Sequence, residues 1–250
     1  MICTWKSTPE CVSLFKSIQH TNTMINVAFN TDGLSIMSMD ASKTSLVKLS
    51  LTPQYFETFQ CTRSMVFGIY TEVLTNVLQK AKAATVTWKA SDMNALTIVM
   101  SDKDFKTEIT LRSIDIEDDQ LTIPELEDDV ALVVPATVLR DWFAKIQMTK
   151  ADVAFDITRT NFVCSSESTE IGEIKHTEPI GGERIILSAF RNEVKIALSF
   201  HSARSLAVFA GCGGEQCLVG FSNQQPSRIQ VNFDTFGSLA LYVAPKIMDD

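Results

Sequence analysis

The chain has 250 residues, 45% of them apolar and 21% charged, with 10 Gly and 7 Pro, a composition that fits a folded globular protein and excludes collagen-like and disordered classes. Its 30 Asp and Glu exceed its 22 Lys and Arg, and a net charge of −8 read over the whole chain counts against a nucleic-acid partner. No run of 18 apolar residues occurs and the N-terminus lacks the basic-then-apolar order of a secretory signal, so an intracellular, soluble protein of one large or two medium domains is expected.

Taken in chain order, Cys11, Leu14, Phe15 and Ile18 recur at i, i+3, i+4 and i+7, which predicts a helix with Pro9 in its first turn. Alternating or branched runs at 25–29, 34–39, 45–51 and 64–70 predict strands. A second helix is expected on Leu74, Val77, Leu78 and Ala81, then strands at 85–89, 96–100 and 105–111.

The next segment, 114–129, reads IDIEDDQLTIPELEDD and holds Asp115, Glu117, Asp118, Asp119, Glu125, Glu127, Asp128 and Asp129 with no Lys or Arg. These are eight of the 30 acids; the 22 that remain balance the 22 bases, so the entire excess lies in this stretch. Its charge density and Pro124 mark a linker between two halves, and Leu121, Ile123 and Leu126 among the acids suggest a surface that offers contacts.

Beyond it the pattern resumes with a strand at 130–134 and a helix opened by Pro135 and carrying Leu139, Trp142, Phe143 and Ile146. Strands follow at 153–157, 161–164, 171–176, 184–188 and 194–198. A fourth helix on Ala203, Leu206, Ala207 and Ala210 stops at Gly211, before strands at 216–221, 229–233 and 238–243. Strands succeed one another directly far more often than through a helix. That implies an α+β fold with antiparallel sheets and two short helices per half, and not a doubly wound parallel sheet. A repeat is hinted at by FKSIQ at 15–19 with VAFN at 27–30, echoed by FAKIQ at 143–147 with VAFD at 153–156.

Catalytic chemistry finds little footing. His20, His176 and His201 stand at no metal-ligand spacing, and the glycines at 181–182 and 211–214 lack the Lys-Ser/Thr ending of a phosphate loop. The acidic stretch lacks the central Gly and terminal Glu of a calcium loop. No enzyme activity, cofactor or metal is expected. Cys3, Cys11, Cys61, Cys164, Cys212 and Cys217 form no C-x-x-C pair and are expected as reduced, buried thiols.

The helices carry net charges of 0, +1, +2 and +1 over 10–20, 71–82, 135–150 and 199–210, in a chain that is −8 overall. Bases on helix faces are commonly no more than solvated surface. Segregated from an acidic connector, they also make a mildly basic surface suited to a phosphate backbone.

Residues 31–51, TDGLSIMSMDASKTSLVKLSL, with Ser38, Met39, Asp40, Ser42 and then Ser45, Leu46, Val47, resemble the signature region of the proliferating cell nuclear antigen family of DNA sliding clamps. Three further matches keep the family's order: FQCTR at 59–63 leading through Gly68 to Val77 and Leu78, QLTIPE at 120–125, and YVAPKI at 242–247. They resemble its DNA-binding segment, interdomain connector and C-terminal motif. The likeness spans the chain and is weakest over 165–225.

The resemblance implies two similar clamp domains, 1–112 and 130–250, joined by an acidic connector at 113–129, with sheets outside and helices lining a ring of three subunits. Such a ring encircles duplex DNA without sequence specificity, tethers DNA polymerase and other replication and repair proteins through short interacting peptides, is placed by a clamp loader, and catalyses nothing. A nuclear or other intracellular replication site is implied. The alternative is a clamp-like subunit of a heterotrimer or an open processivity factor.

Lining candidates are Lys16, His20, Lys80, Lys82, Arg140, Lys145, Lys150 and Arg204, several at places shifted from the family's own bases. The partner-peptide pocket would use Met39, Lys43, Leu121, Ile123, Pro124, Pro226, Tyr242, Ala244 and Pro245. Lys43 stands where a histidine is usual and Asp128 near a usual aromatic, which should make the pocket rim more polar and shift peptide preference. Ring closure would pair Phe105, Thr107, Ile109 and Leu111 of one subunit with an edge containing Ile171 and Ile174 of the next.

Overall fold

The first helix shows how local chemistry sets the elements. Ser7 accepts a hydrogen bond from the Glu10 N–H at 3.4 Å as N-cap, Pro9 occupies the first turn, and Cys11, Leu14, Phe15 and Ile18 are buried along one face. The computed structural model describes residues 1–81, 84–117, 121, 123 and 126–246, and its chain divides into two units.

Unit 1 comprises Met1–Ala41, Val47–Leu121 and Asn232–Leu239. Its elements in the first half of the chain are β1 (Ile2–Trp5), α1 (Thr8–Thr21), β2 (Met24–Asn30), β3 (Gly33–Met39), β4 (Ser45–Leu51), β5 (Phe56–Gln60), β6 (Met65–Tyr70), α2 (Thr71–Lys80), β7 (Thr85–Lys89), β8 (Ala95–Ser101) and β9 (Lys106–Arg112). One sheet has the order β5-β1-β7-β8-β9 and a second β4-β3-β2-β6. Helices α1 and α2 pack together. Trp5, Phe15 and Trp88 meet beneath them with ring centroids 5.3 to 5.9 Å apart.

Unit 2 comprises Ser42–Leu46, Thr122–Val231 and Ala240–Asp250. It follows with β10 (Val130–Pro135), α3 (Ala136–Ile146), β11 (Val153–Ile157), β12 (Asn161–Ser168), β13 (Gly172–Pro179), β14 (Ile186–Phe190), β15 (Val194–Leu198), α4 (Phe200–Ala210), β16 (Gln216–Phe221), β17 (Ser227–Asn232) and β18 (Gly237–Val243). Its sheets run β14-β10-β16-β17-β18 and β13-β12-β11-β15, and α3 packs on α4. Strands β4, β17 and β18 contribute residues to both units.

The order strand, helix, five strands, helix, three strands occurs twice, and within its own run each strand of the first has the neighbours that its counterpart nine strands later has in the second. The repeat hinted at by FKSIQ and FAKIQ is therefore a repeat of topology. Strand pairing is antiparallel, as the alternation implies. Both units have the α+β architecture read from the sequence.

Three local details differ from the sequence reading. Strands β1 and β5 are additional and short; β1 lies between β5, in register from Ile2 opposite Gln60, and β7, with Ile2 opposite Lys89. Pro135 is the N-cap of α3 and ends β10, opposite Gln216, so it stands one step before the first helical turn. Helix α3 stops at Ile146 and gives way to a 3-10 turn, Gln147–Thr149, closed by Lys150 in the left-handed region at φ 53°.

All six cysteines are free and buried, as expected, and burial pushes Cys164 and Cys217 up to about 12, so neither is a thiolate at neutral pH. No helix among the described residues is long and apolar enough to cross a membrane.

Candidate nucleic-acid and partner surfaces

Each helix buries its apolar stripe and leaves its bases outward. Lys16 on α1, Lys80 on α2, Arg140 and Lys145 on α3, and Arg204 on α4 are exposed; His20, in the last turn of α1, is half-buried. Lys82 lies outside the described residues. Lys150, expected on the third helix, sits past its end in the left-handed cap, because the chain must reverse there into β11.

Two of the bases are brought together. Arg140 and Arg204 line one hollow of about 350 Å³ on the α3–α4 face, with Ala144, Gln147, Ala207, Val208 and Gly211 as its floor and sides. Ala207 and Gly211 are small, and the Arg140 Cδ and Nε lie 3.8 and 3.9 Å from where a Cβ on Gly211 would stand. Among the described residues none of Lys16, Lys80, Arg140, Lys145 and Arg204 is in an ion pair.

The partner-pocket candidates fall in both units. In unit 1, Met39 and Leu121 line the same hollow of about 170 Å³, together with Met24, Met37, Asp40 and Ile116. In unit 2, the Ala244 N–H donates to the Thr44 carbonyl at 2.8 Å, which ties the exposed turn containing Lys43, at φ 57°, to the segment of Tyr242, Ala244 and Pro245. Ile123, Pro226, Ala244 and Pro245 are half-buried. Pro124 lies outside the described residues.

The acidic segment is not simply solvated where it enters unit 2. Glu127 pairs with Arg191. Asp128 takes the Arg228 fork, Nη2 to Oδ2 at 2.6 Å and Nε to Oδ2 at 3.0 Å. Asp129 accepts from Asn192 at 2.8 Å and from the Ser222 hydroxyl and the Asn223 N–H, each at 3.0 Å. Burial raises the Asp129 carboxyl, and the hydrogen bonds from Asn192, Asn223 and Ser222 together outweigh it and hold the group below the usual range.

The polar group expected of Asp128 is a charge pair and not a lone carboxylate. Its side chain is only 7% exposed, because Gly220 leaves room for the carboxylate and Arg228 neutralises it. Nothing in the sequence announces this pair, since the partners are 100 positions apart. Burial raises the neighbouring Tyr242 hydroxyl, an effect opposed by Arg228 and reinforced by Asp128.

The strands expected at the ring joint are both sheet edges. Strand β9 ends the order β5-β1-β7-β8-β9, and β13 ends β13-β12-β11-β15. Thr107, Ile109 and Leu111 lie in β9 and Ile174 in β13; Phe105 and Ile171 each precede their strand by one residue and are 48% and 50% exposed. Large apolar side chains beside unpaired strand edges are a template for association with another chain.

A family model described as "Proliferating cell nuclear antigen, N-terminal domain" matches residues 11–121. The chain is similar to a probable DNA polymerase sliding clamp 2 of Paramecium bursaria Chlorella virus 1, 25% identical over 232 residues that cover 90% of this chain and 83% of that protein. It is also 25% identical over 236 residues to the DNA polymerase sliding clamp of Methanothermobacter thermautotrophicus, covering 93% and 92%. The proliferating cell nuclear antigen of Chaetomium thermophilum is 25% identical over 239 residues, 90% of each chain.

The crystal structure of proliferating cellular nuclear antigen from Entamoeba histolytica shares the fold, with a TM-score of 0.89 over 98% of both chains at 18% identity. With its repeated topology and a sequence that follows these proteins along nearly its whole length, the chain is similar, at about 25% identity, to the proliferating cell nuclear antigens and DNA polymerase sliding clamps.

Proposed function

We propose that three copies of this chain close head to tail into a ring that encircles duplex DNA and tethers a DNA polymerase and other replication and repair proteins. The clamp domains are 1–112 and 130–250, with 113–129 as the connector between them. The observation that carries this reading is the sorting of charge. The exposed bases of the four helices are outside ion pairs among the described residues, whereas Glu127, Asp128 and Asp129 are engaged by unit 2. The −8 of the whole chain thus leaves the helix faces free to meet phosphates.

Lys16, His20, Lys80, Lys82, Arg140, Lys145, Lys150 and Arg204 are assigned to that lining. A ring held by topology needs only weak, salt-dependent contacts and no reading of bases. Subunits join through the β9 and β13 edges, with Phe105, Thr107, Ile109, Leu111, Ile171 and Ile174 at the joint. Partner peptides dock as a short helical turn at Met39, Lys43, Leu121, Ile123, Pro124, Pro226, Tyr242, Ala244 and Pro245. A loader opens the ring, and the protein acts in the nucleus or another intracellular site of DNA replication.

The test combines mass and topology. Native mass spectrometry of the purified chain should give the trimer, and the loaded protein should stay on nicked circular DNA and run off the same DNA once it is linearised. A monomer at working concentration, or equal retention on both DNAs, rejects the closed homotrimeric ring; trimers formed only with a second clamp chain would replace it with a heterotrimer.

A further inference from the structure

Three neighbouring strands of unit 2 put an unusual row of residues on one face. Gly220 of β16 is opposite Arg228 of β17. Counting back along the hairpin from the bond between the Phe233 N–H and the Gly237 carbonyl, 2.9 Å, puts Arg228 opposite Tyr242 of β18. Asp128 completes the group from the connector. Its carboxylate lies where a Cβ on Gly220 would be, within 2.2 Å of that point, so only glycine admits it.

Arg228 is held as well as neutralised. Its Nε and Nη2 both donate to the Asp128 carboxylate, at 3.0 and 2.6 Å, in the two-pronged geometry that fixes the guanidinium plane. The Arg228 side chain is 22% exposed and that of Asp128 7%, so the acid is covered while the arginine keeps contact with solvent. A guanidinium has five N–H groups, and among the described residues Nη1 donates to nothing. The face beside Tyr242 therefore holds guanidinium donors that Asp128 does not take up, where a purely apolar wall would offer none.

We propose that Arg228, held by Asp128 above Gly220, is a specificity-determining seat in the partner-docking face, and that it selects a peptide whose inserted ring carries an oxygen acceptor, a tyrosine in preference to a phenylalanine. This rests on the docking reading given above. The planar guanidinium can stack on either ring. The difference arises when the ring shuts water out: a phenyl group leaves the Nη1 donors buried and unpaired, whereas a phenol oxygen receives them. A hydrogen bond to a charged donor of this kind is worth roughly tenfold or more in affinity.

The test uses two fluorescein-labelled peptides, each a single helical turn with two aromatic plugs, that differ only in Tyr or Phe at the plug meeting Tyr242, measured by fluorescence polarisation. The intact protein should bind the Tyr peptide roughly tenfold more tightly. Removing only one member of a buried pair can unfold a domain, so the main variant is the double Asp128→Leu, Arg228→Leu, which takes out both charges together. It should bind the two peptides equally. Arg228→Lys, which keeps the charge and loses the fork, should lose most of the preference.

Equal binding of both peptides by the intact protein, or an undiminished Tyr preference in the double variant, overturns the seat and leaves the docking reading standing. Binding of neither peptide to the intact protein or to the folded double variant removes the docking reading itself, and the seat with it.

Discussion

The two units repeat one topology and fasten it by different means. Beneath α1 and α2, unit 1 is an aromatic cluster in which the indole N–H groups of Trp5 and Trp88 are buried and, among the described residues, without a hydrogen-bond partner. Beneath α3, unit 2 gives the Trp142 N–H a carboxylate, Glu178, at 2.7 Å, and the same carboxylate takes His176 at 3.2 Å and Arg184 at 3.1 Å. The acidic segment follows the same division. At its unit 1 end it is tied by uncharged groups, with the Ile114 N–H donating to the Gly68 carbonyl at 2.9 Å and the Gly68 N–H donating to the Ser113 hydroxyl oxygen at 3.1 Å. At its unit 2 end it is tied by the carboxylates of Glu127, Asp128 and Asp129. One topology thus tolerates both apolar and ionic fastening, and unit 2 should hold the stability that depends on pH and on particular side chains.

The sharpest way to break this comparison is a matched pair of indole deletions. Trp142→Phe removes the donor from a carboxylate that is 6% exposed, and should cost about 3 kcal/mol, combining lost volume with a buried charge short of a partner. Trp88→Phe removes an N–H that has no partner among the described residues and should cost about 1 kcal/mol, from volume alone. Chemical denaturation with unchanged m-values measures both. Equal losses would mean that Glu178 adds nothing to unit 2 beyond packing.

This contrast also marks what the sequence could and could not disclose. The helices were legible because Leu14, Phe15 and Ile18, or Leu139, Trp142 and Phe143, must face one way to be buried. Strands with branched alternation were legible for the same reason. The β1 segment ICTW and the β5 segment FETFQ were not, being too short to show a period and made into strands by pairing, β1 with β5 and β7 and β5 with β1. At the candidate sites, residue types were legible and partners were not. Arg140 and Arg204 read as two separate helix bases until the packing of α3 on α4 put them on one hollow. Asp128 read as a polar residue without a named partner until β17 supplied Arg228. Pairings of this kind belong to topology, and periodicity carries no record of them.

A second test probes the backbone fastening of unit 1. A Cβ on Gly68 would stand 2.1 Å from the Ile114 carbonyl oxygen, a backbone atom with little room to yield. Gly68→Ala should therefore push residues 113–116 off β6 and cost about 2 kcal/mol. Amide exchange at Ile114 should rise with the loss of its bond to Gly68, whereas exchange within β16 and β17 should stay as it was. Unchanged exchange at Ile114 would show that this end is held by something other than the backbone pair.

The smallest expected effect is the most specific to unit 2. Asp129 has its carboxyl held below the ordinary value of 3.8, since the hydrogen bonds from Asn192, Asn223 and Ser222 outweigh the opposing effect of burial. The unfolded chain then takes up the proton at a higher pH than the folded one. The stabilisation is complete above pH about 4 and is lost as pH falls through the folded value. Asp129→Asn, which keeps an acceptor but no charge, should lower stability at pH 7 by less than about 1 kcal/mol after solvent screening. The gap between variant and wild type should close on acidification below pH about 4, where the wild-type carboxylate is itself neutralised. Ser113→Ala, at the unit 1 end, removes a hydroxyl that does not titrate in this range, so its deficit should persist across the same pH span. If the Asp129→Asn gap instead widens in acid, or the Ser113→Ala gap closes with it, the ionic character of the unit 2 fastening is not what distinguishes the two ends.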